Sequence, residues 1–331
     1  MTAMEREKTA KPGSPHADPA AVRVGYQSFA GYRTRVLEAG PRERGSTRLV
    51  LLHGYCDSAD TWRPALAELA AAGVSVLAVD LPGFGEADPL RPGAMLPQFD
   101  LFVDAVLTEQ RRYGRIVLAG NSLGGTMSLR AAQSPRLPIA GVVSIAAPGL
   151  VDSWLVRTVG RYPLPLRLAA SLPLPVPGFL VRTIAEYVVP RLLYADHVVA
   201  EAEQVRRFTS LFPDYRSATT RLEQTRQLVS ELDEAYQGIE EIQVPLLVVV
   251  CGRDRLVSQA SGERLHALVP HSRLLVRAEW GHCPQLDDPA GLAEMLTYFA
   301  TGVFRQTCPQ PTAKPKRRGT KPVSIPNAAA G

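Results

Sequence analysis

Residues 115–124 read RIVLAGNSLG, an apolar run that leads directly into a serine flanked by glycines. The run favours a buried strand over residues 115–119, and the pattern after it favours a helix over residues 122–134. Gly120, Ser122 and Gly124 fit the pattern G-x-S-x-G, which presents a serine on a sharp turn between a strand and a helix. Glycines are needed because side chains at their positions would collide across so tight a turn. The turn also directs the backbone N–H of Leu123 towards a negatively charged oxygen formed next to Ser122.

A serine hydroxyl is a poor nucleophile near neutral pH and needs a base, which is itself held by an acid. Among the six histidines, His282 lies in a loop after the last predicted strand and before the last predicted helix. That position puts it at the same edge of a parallel sheet as Ser122. His53 ends a strand and is interpreted as a structural hydrogen-bonding group. The remaining histidines lie in a tail, in helical patterns or in a turn: His16, His197, His266 and His271.

The predicted acid is Asp254, which comes just after the apolar run at residues 245–251. The chain order is then serine, aspartate, histidine, as a strand–turn–helix serine of this kind requires. A turn or helix-cap aspartate is the alternative interpretation of Asp254. Asp287 and Asp288 are interpreted as helix caps. The sequence thus predicts Ser122 as nucleophile, His282 as base and Asp254 as the group that orients the base.

Short apolar runs alternate with helical patterns along the body of the chain, which indicates an α/β protein with a mostly parallel sheet covered by helices on both faces. The first two runs are joined at Ala30-Gly31 in a predicted antiparallel hairpin. No strand-like run occurs between residues 146 and 245, and a structureless loop of that length is unusual. An inserted helical subdomain is therefore predicted. The eight predicted strands cover residues 22–29, 32–38, 48–52, 74–79, 115–119, 139–146, 245–251 and 274–277.

These motifs together resemble the α/β-hydrolase superfamily over nearly everything from Val22 to Phe304. His53-Gly54-Tyr55 resembles the HG-x element after the third strand, which implies that the backbone N–H of Tyr55 is a second oxyanion donor. Residues 80–85 resemble the D-x-P-G-x-G loop beside the site, although Glu86 stands where a serine commonly follows. Gly252-Arg253-Asp254 and Gly281-His282 match the G-x-D and G-H elements.

The resemblance implies an α/β-hydrolase fold with an eight-stranded sheet and a helical cap inserted after strand 6. The expected organisation is a disordered tail at 1–20, a core in two parts at 21–149 and 239–303, a cap at 150–238 and a basic disordered tail at 304–331. The apolar, proline-broken part of the cap at residues 164–180 is expected to pack within the cap. An acyl pocket and contact with a membrane surface are the alternatives for this part.

The net charge of +5 over 331 residues is a property of the C-terminal tail. Six basic residues and no acidic ones lie between Arg305 and Lys321, so the body is near neutral. Nucleic-acid binding is therefore not expected, and a solvated tail is the preferred interpretation. Binding to DNA that is lost when the residues after Phe304 are removed would support the alternative.

Cellular location is predicted from the cysteines and the N-terminus. The four cysteines have neither paired nor metal-like spacing, and the first twenty residues lack an apolar signal region. A cytoplasmic protein is expected, with peripheral membrane contact as an alternative. No metal or organic cofactor is implied by the motifs.

The predicted reaction is hydrolysis of a carboxylic ester, of a small or lipid-like substrate, through an acyl-enzyme on Ser122. Related dehalogenases and epoxide hydrolases carry aspartate at the position of this serine, so their chemistry is disfavoured. The sequence Gly-Asn-Ser-Leu-Gly-Gly with a helical cap also resembles carbon–carbon bond hydrolases that act on ring-cleavage products. A non-catalytic receptor or scaffold on the same fold is a third interpretation, which the three matching residues argue against.

Overall fold

An eight-stranded sheet forms the centre of the protein in a computed structural model, which describes residues 21–42, 46–151, 176–232 and 234–302. The strand order is β1-β2-β4-β3-β5-β6-β7-β8. β1 pairs with β2 and β2 with β4 in antiparallel fashion, and all other pairs are parallel. The strands are β1 (Arg23–Phe29), β2 (Tyr32–Ala39), β3 (Ser46–Leu52), β4 (Ser75–Val79), β5 (Gly114–Asn121), β6 (Ile139–Ile145), β7 (Leu246–Cys251) and β8 (Arg273–Arg277).

All eight predicted strands are present, with ends that differ from the prediction by one or two residues. β5, for example, continues to Asn121 because its last residues pair with β6. The predicted hairpin is also confirmed: Phe29 pairs with Tyr32, and Ala30 and Gly31 both have positive φ. Two such residues suit the tight turn that matches the twist of paired strands.

Two apolar layers cover the sheet, one on each face. In β3, Leu49 and Leu51 belong to one layer, whereas Val50 and Leu52 belong to the other. This alternation follows from the two-residue repeat of a strand. Helices α1 (Arg63–Ala71) and α9 (Pro289–Ala300) pack on the first face, and the short α8 (Pro284–Asp287) directly precedes α9. Helices α2 (Met95–Gln110), α3 (Leu123–Ala132) and α7 (Gln259–Leu268) pack on the second face. The predicted helix-covered parallel sheet is therefore confirmed.

Helices also fill the described part of the connection between β6 and β7. They are α4 (Gly178–Leu193), α5 (Ala202–Thr209) and α6 (Tyr215–Leu232). The predicted tails at 1–20 and 304–331 and most of the apolar segment 164–180 lie outside the described residues. The proposed boundaries at 149/150 and 238/239 stay predictions.

Helix α6 is attached to the core by hydrogen bonds at its C-terminal end. The carboxylate of Glu231 accepts from the backbone N–H groups of Met95 and Leu96, at 2.9 and 2.7 Å. Those N–H groups are at the start of α2, where a helix leaves its donors unpaired and favours negative charge. The inserted helices are thus held at the carboxyl edge of the sheet. Within the described residues, no helix is both long and apolar enough to cross a bilayer.

Candidate active site

The predicted site residues lie on loops that leave the carboxyl ends of neighbouring parallel strands. Tyr55 follows β3, Ser122 follows β5, Asp254 follows β7 and His282 follows β8. Because these strands are parallel, their carboxyl ends share one edge of the sheet, which is the usual position of a ligand site in such folds. Three of the four side chains, those of Tyr55, Ser122 and His282, line one pocket at this edge.

Ser122 occupies a strained turn between β5 and α3. Its φ is 54° and its ψ is −118°, a backbone conformation that costs roughly 1–3 kcal/mol for a residue other than glycine. A Cβ on Gly120 would collide with the backbone of Gly124, and a Cβ on Gly124 would collide with the carbonyl of Leu52. The turn closes only because both positions are glycine. The predicted helix therefore begins at Leu123, one residue later than expected.

His282 and Asp254 form a direct, buried contact. Nδ1 of His282 lies 2.8 Å from Oδ2 of Asp254, and the two side chains are 6% and 2% exposed. The other oxygen, Oδ1, accepts from the backbone N–H groups of Leu256 and Val257, at 2.7 and 2.9 Å. The carboxylate is therefore fixed in orientation. With Nδ1 engaged by the acid, Nε2 is the nitrogen of His282 that remains for proton transfer.

The loop that carries His282 is attached to neighbouring loops on several sides. The backbone N–H of Arg253 donates to the carbonyl of Trp280, which joins the aspartate loop to the histidine loop. Asp287 was expected to cap a helix, and this expectation is wrong. Its carboxylate accepts from the N–H groups of Gly281 and Ala195, at 2.7 and 3.0 Å, and so links the loop to the end of α4. Asp288 does cap α9, by accepting from Gly291.

The region around the predicted oxyanion donors is shaped by Gly54, which packs against Ser122. A Cβ on Gly54 would lie 3.4 Å from the Cβ of Ser122. The phenol of Tyr55 donates to the carbonyl of Arg221 on α6, at 2.8 Å, and this bond holds the loop after β3. Within the described part of the chain, the backbone N–H groups of Tyr55 and Leu123 form no hydrogen bond with a protein acceptor. Both are free to bind an oxygen atom of a substrate.

His53 and Asp80 hold the loop after β3 in place through hydrogen bonds. His53 is fully buried, and its Nε2 accepts from the N–H of Leu81 at 2.8 Å. The same ring donates from Nδ1 to the carbonyl of Gly54 at 2.7 Å, and burial lowers its pKa. These contacts agree with the structural role expected for His53. The carboxylate of Asp80 accepts from the N–H of Ala59 at 2.7 Å, which fixes the far end of the loop.

The pocket has a volume of about 210 Å³ and a mostly apolar lining. The core provides its floor, and the inserted helices provide much of its wall. Leu193 comes from α4, Phe208 from α5, and the remaining residues of this wall from α6: Thr225, Leu228, Val229 and Leu232. Residues of the helices between β6 and β7 thus line the same pocket as Ser122 and His282, and the role of these helices as a cap stays a prediction.

A family model for α/β hydrolases matches residues 49–295, which include every predicted site residue. The chain belongs to the α/β hydrolase family. Members of this family are generally catalytic hydrolases, and its fold agrees with the sheet order and helices described above.

Several relatives of this α/β hydrolase are similar over most of their length. An uncharacterised protein of Mycobacterium tuberculosis is 26% identical over 322 residues, covering 89% of this chain and 85% of that protein. A pimeloyl-[acyl-carrier protein] methyl ester esterase of Neisseria meningitidis is 26% identical over 301 residues, covering 83% of this chain and 88% of the esterase. Among solved structures, a membrane phospholipase A has a TM-score of 0.68 at 20% identity, covering 86% and 87% of the two chains. This last similarity concerns the fold alone.

Sequence reasoning did not identify Asn121 as part of the site of this α/β hydrolase. Its side chain is fully buried, and its Nδ2 donates to the carbonyl of His282 at 2.8 Å. Its Oδ1 accepts from Gln285 Nε2 at 3.2 Å. Asn121 therefore joins the serine turn to the histidine loop. Its position beside Ser122 was the only available signal, since its partners are more than 150 residues away in sequence.

We expect Asn121→Ala to lower kcat about tenfold, since the loss of one hydrogen bond to the His282 loop removes on the order of 1–2 kcal/mol of positioning. KM should change little, because the carboxamide faces the loops and its bonds are to protein atoms. Steady-state kinetics with a p-nitrophenyl ester measures both constants. Gln133→Ala, on the C-cap of α3, is the control and should retain full kcat. An unchanged kcat in Asn121→Ala would contradict the positioning role.

Proposed function

We propose that this α/β hydrolase cleaves carboxylic esters through an acyl-enzyme on Ser122. The observation that carries the proposal is the 2.8 Å contact between His282 Nδ1 and Asp254 Oδ2, at a pocket that Ser122 also lines. A serine, an imidazole and a carboxylate in this order can act as one unit for proton transfer.

In the proposed reaction, Nε2 of His282 takes the proton of Ser122 as its hydroxyl oxygen attacks the ester carbonyl. The N–H groups of Leu123 and Tyr55 donate to the oxyanion, and removal of one such donor costs roughly 3–4 kcal/mol in related chemistry. His282 then gives its proton to the leaving alcohol. Water attacks the acyl-enzyme with His282 again as base, which releases the acid and restores Ser122.

The pocket favours a substrate with a short or medium acyl group. Its volume of about 210 Å³ is below the range of roughly 300–1,000 Å³ that is usual for drug-sized ligands. Three of the four residues that α6 contributes to its wall are aliphatic, so an alkyl chain would be desolvated there. The methyl ester esterase of Neisseria meningitidis, which is similar over most of its length, supports an ester as the substrate class.

A fluorophosphonate probe and a series of p-nitrophenyl esters of increasing acyl length test this proposal. We expect one probe molecule to attach to Ser122, and kcat/KM to be highest for short or medium chains. A vinylogous diketone serves as the contrasting substrate for carbon–carbon hydrolysis. Turnover of the diketone without turnover of any ester would favour that reaction instead. Absence of labelling and of turnover on both substrates would refute a catalytic role.

A further inference from the structure

A polar corner that the proposed reaction does not use adjoins the pocket: Asp57 lines the pocket, and Arg207 and Tyr194 are each next in sequence to a lining residue, Phe208 and Leu193. Asp57 is 6% exposed and lines the pocket, and Tyr194 is 3% exposed. Arg207, on α5, donates from its terminal NH2 to Asp57 Oδ1 at 3.1 Å. Among the described residues, four atoms here form no hydrogen bond of ordinary length: Asp57 Oδ2, Arg207 Nε, Arg207 NH1 and the Tyr194 hydroxyl.

These groups lie together beside the predicted catalytic residues. The guanidinium of Arg207 is 4.7 Å from the ring centre of Phe208, which lines the pocket. Its charge also acts on Tyr194 and on Cys283, the residue after His282. Asp57 is on the loop after β3, three residues from Gly54, which packs against Ser122. The corner is therefore formed by the loop after β3, the loop that carries His282 and the helices between β6 and β7.

Unpaired polar atoms are costly in such a place. A buried donor or acceptor without a partner costs roughly 1–3 kcal/mol, and most native structures avoid them. Arg207 Nε and NH1 together offer three N–H donors, and Asp57 Oδ2 offers an acceptor. A hydroxyl or amide group placed here would satisfy both kinds of atom.

The charges of the corner indicate a neutral ligand group. Asp57 would repel an anion and Arg207 would repel a cation, whereas a neutral group that both donates and accepts fits the pair. Burial raises the pKa of Asp57, although the positive charge of Arg207 opposes that rise. A hydroxyl suits either protonation state of Asp57, because it can donate to the carboxylate or accept from the acid.

We propose that the corner formed by Asp57 and Arg207 binds a neutral hydroxyl or primary carboxamide group of the substrate. This inference rests on the proposed ester hydrolysis and adds a polar determinant to an otherwise apolar pocket. A substrate that carries such a group can satisfy Asp57 Oδ2 and one or two N–H donors of Arg207, whereas one that ends in a methyl group satisfies none of them. Selectivity follows from that difference.

Pairs of esters that differ only in a terminal hydroxyl or methyl group test the inference. Methyl ω-hydroxyalkanoates are compared with methyl alkanoates of equal chain length, and hydroxyalkyl acetates with alkyl acetates. At the chain length that reaches the corner, we expect kcat/KM to be about tenfold higher for the hydroxyl ester. The ratio within each pair cancels any change in the chemical step itself.

Arg207→Met should reduce that ratio to about one-fold, since the N–H donors are removed while the apolar stem stays. Asp57→Leu is the second variant, and it should also reduce the ratio, because it removes the polar atoms of this side chain at similar size. Arg206→Met is the matched control on the same helix, because its side chain is exposed. It should leave the ratio unchanged. An equal loss in Arg206→Met would overturn the inference.

Calorimetric binding of the same ester pairs to Ser122→Ala separates this inference from the proposed function. Preferential binding of hydroxyl esters, without turnover by the wild-type protein, would support the corner and refute ester hydrolysis. Turnover of both members of every pair at equal rates, with equal binding, would support ester hydrolysis and overturn the corner. Equal turnover and equal binding are expected if an ordered water molecule already satisfies the unpaired atoms, and the inference is then wrong. Absence of any preference in both measurements overturns the inference.

Discussion

Ser122→Ala is expected to lower kcat for p-nitrophenyl ester hydrolysis by about 10⁶-fold, as the loss of a serine nucleophile does in enzymes that use the same chemistry. The variant removes the oxygen that would form the acyl-enzyme, while the pocket and the two N–H groups proposed as oxyanion donors stay in place. Alanine also keeps the Cβ at a position where φ is 54°, so the strain of the turn is unchanged. The free energy of unfolding should therefore stay close to that of the wild type. Kinetics, fluorophosphonate labelling and thermal unfolding measure these effects.

Ser128→Ala provides the matched control for this loss. Ser128 is fully buried on α3, the helix that follows Ser122, and its hydroxyl donates to the carbonyl of Gly124 at 2.7 Å. Its removal should affect stability and leave kcat within a few fold. The double variant Ser122→Ala/His282→Ala should lose no more activity than either single variant, because groups that act as one unit are not additive. Retained turnover in Ser122→Ala, or additive losses, would contradict the assignment.

The positions of the site residues could be predicted because each belongs to a local pattern. Ser122 is set by the glycines around it, and the collisions that a Cβ on Gly120 or Gly124 would cause explain why the pattern is readable. His282 and Asp254 each follow a strand whose apolar run is visible in the sequence. A parallel sheet then brings the loops to one edge without further information. The fold and the three candidate residues therefore follow from short-range signals.

The contacts that complete the site could not be predicted in the same way. Asn121 bonds to a carbonyl 161 residues away, and Arg207 bonds to Asp57 across 150 residues. The first pair depends on how the loops after β5 and β8 meet, and the second on how the inserted helices pack on the core. No local sequence pattern predicts either contact. Asp287 shows the same limit, since its sequence resembles a helix cap but its carboxylate joins two distant loops. Charged residues near a pocket thus need the tertiary structure before a role can be assigned.

The orientation of the Asp254 carboxylate determines how an amide would sit in its place. Oδ1 accepts from two backbone N–H groups, those of Leu256 and Val257. In Asp254→Asn, the amide oxygen must occupy this position, because an NH₂ group there would face two donors. The amide nitrogen is then directed at Nδ1 of His282, where Oδ2 of the carboxylate was. The variant therefore keeps the geometry of the site and reverses the direction of one hydrogen bond.

That reversal is expected to lower kcat by about 10⁴-fold, since an amide donating to Nδ1 places the ring proton on Nε2 and leaves no base for Ser122. KM should stay nearly constant, because the pocket lining is unchanged. Asp287→Asn is the control that tests the choice of acid: it alters a neighbouring carboxylate whose bonds go to the N–H groups of Gly281 and Ala195. Its kcat should fall far less. If Asp287→Asn were the more damaging variant, the acid would have been assigned to the wrong carboxylate. The size of the loss thus depends on which partner donates the hydrogen bond between residue 254 and Nδ1 of His282. The N–H groups of Leu256 and Val257 determine this, because they hold the amide oxygen on the other side.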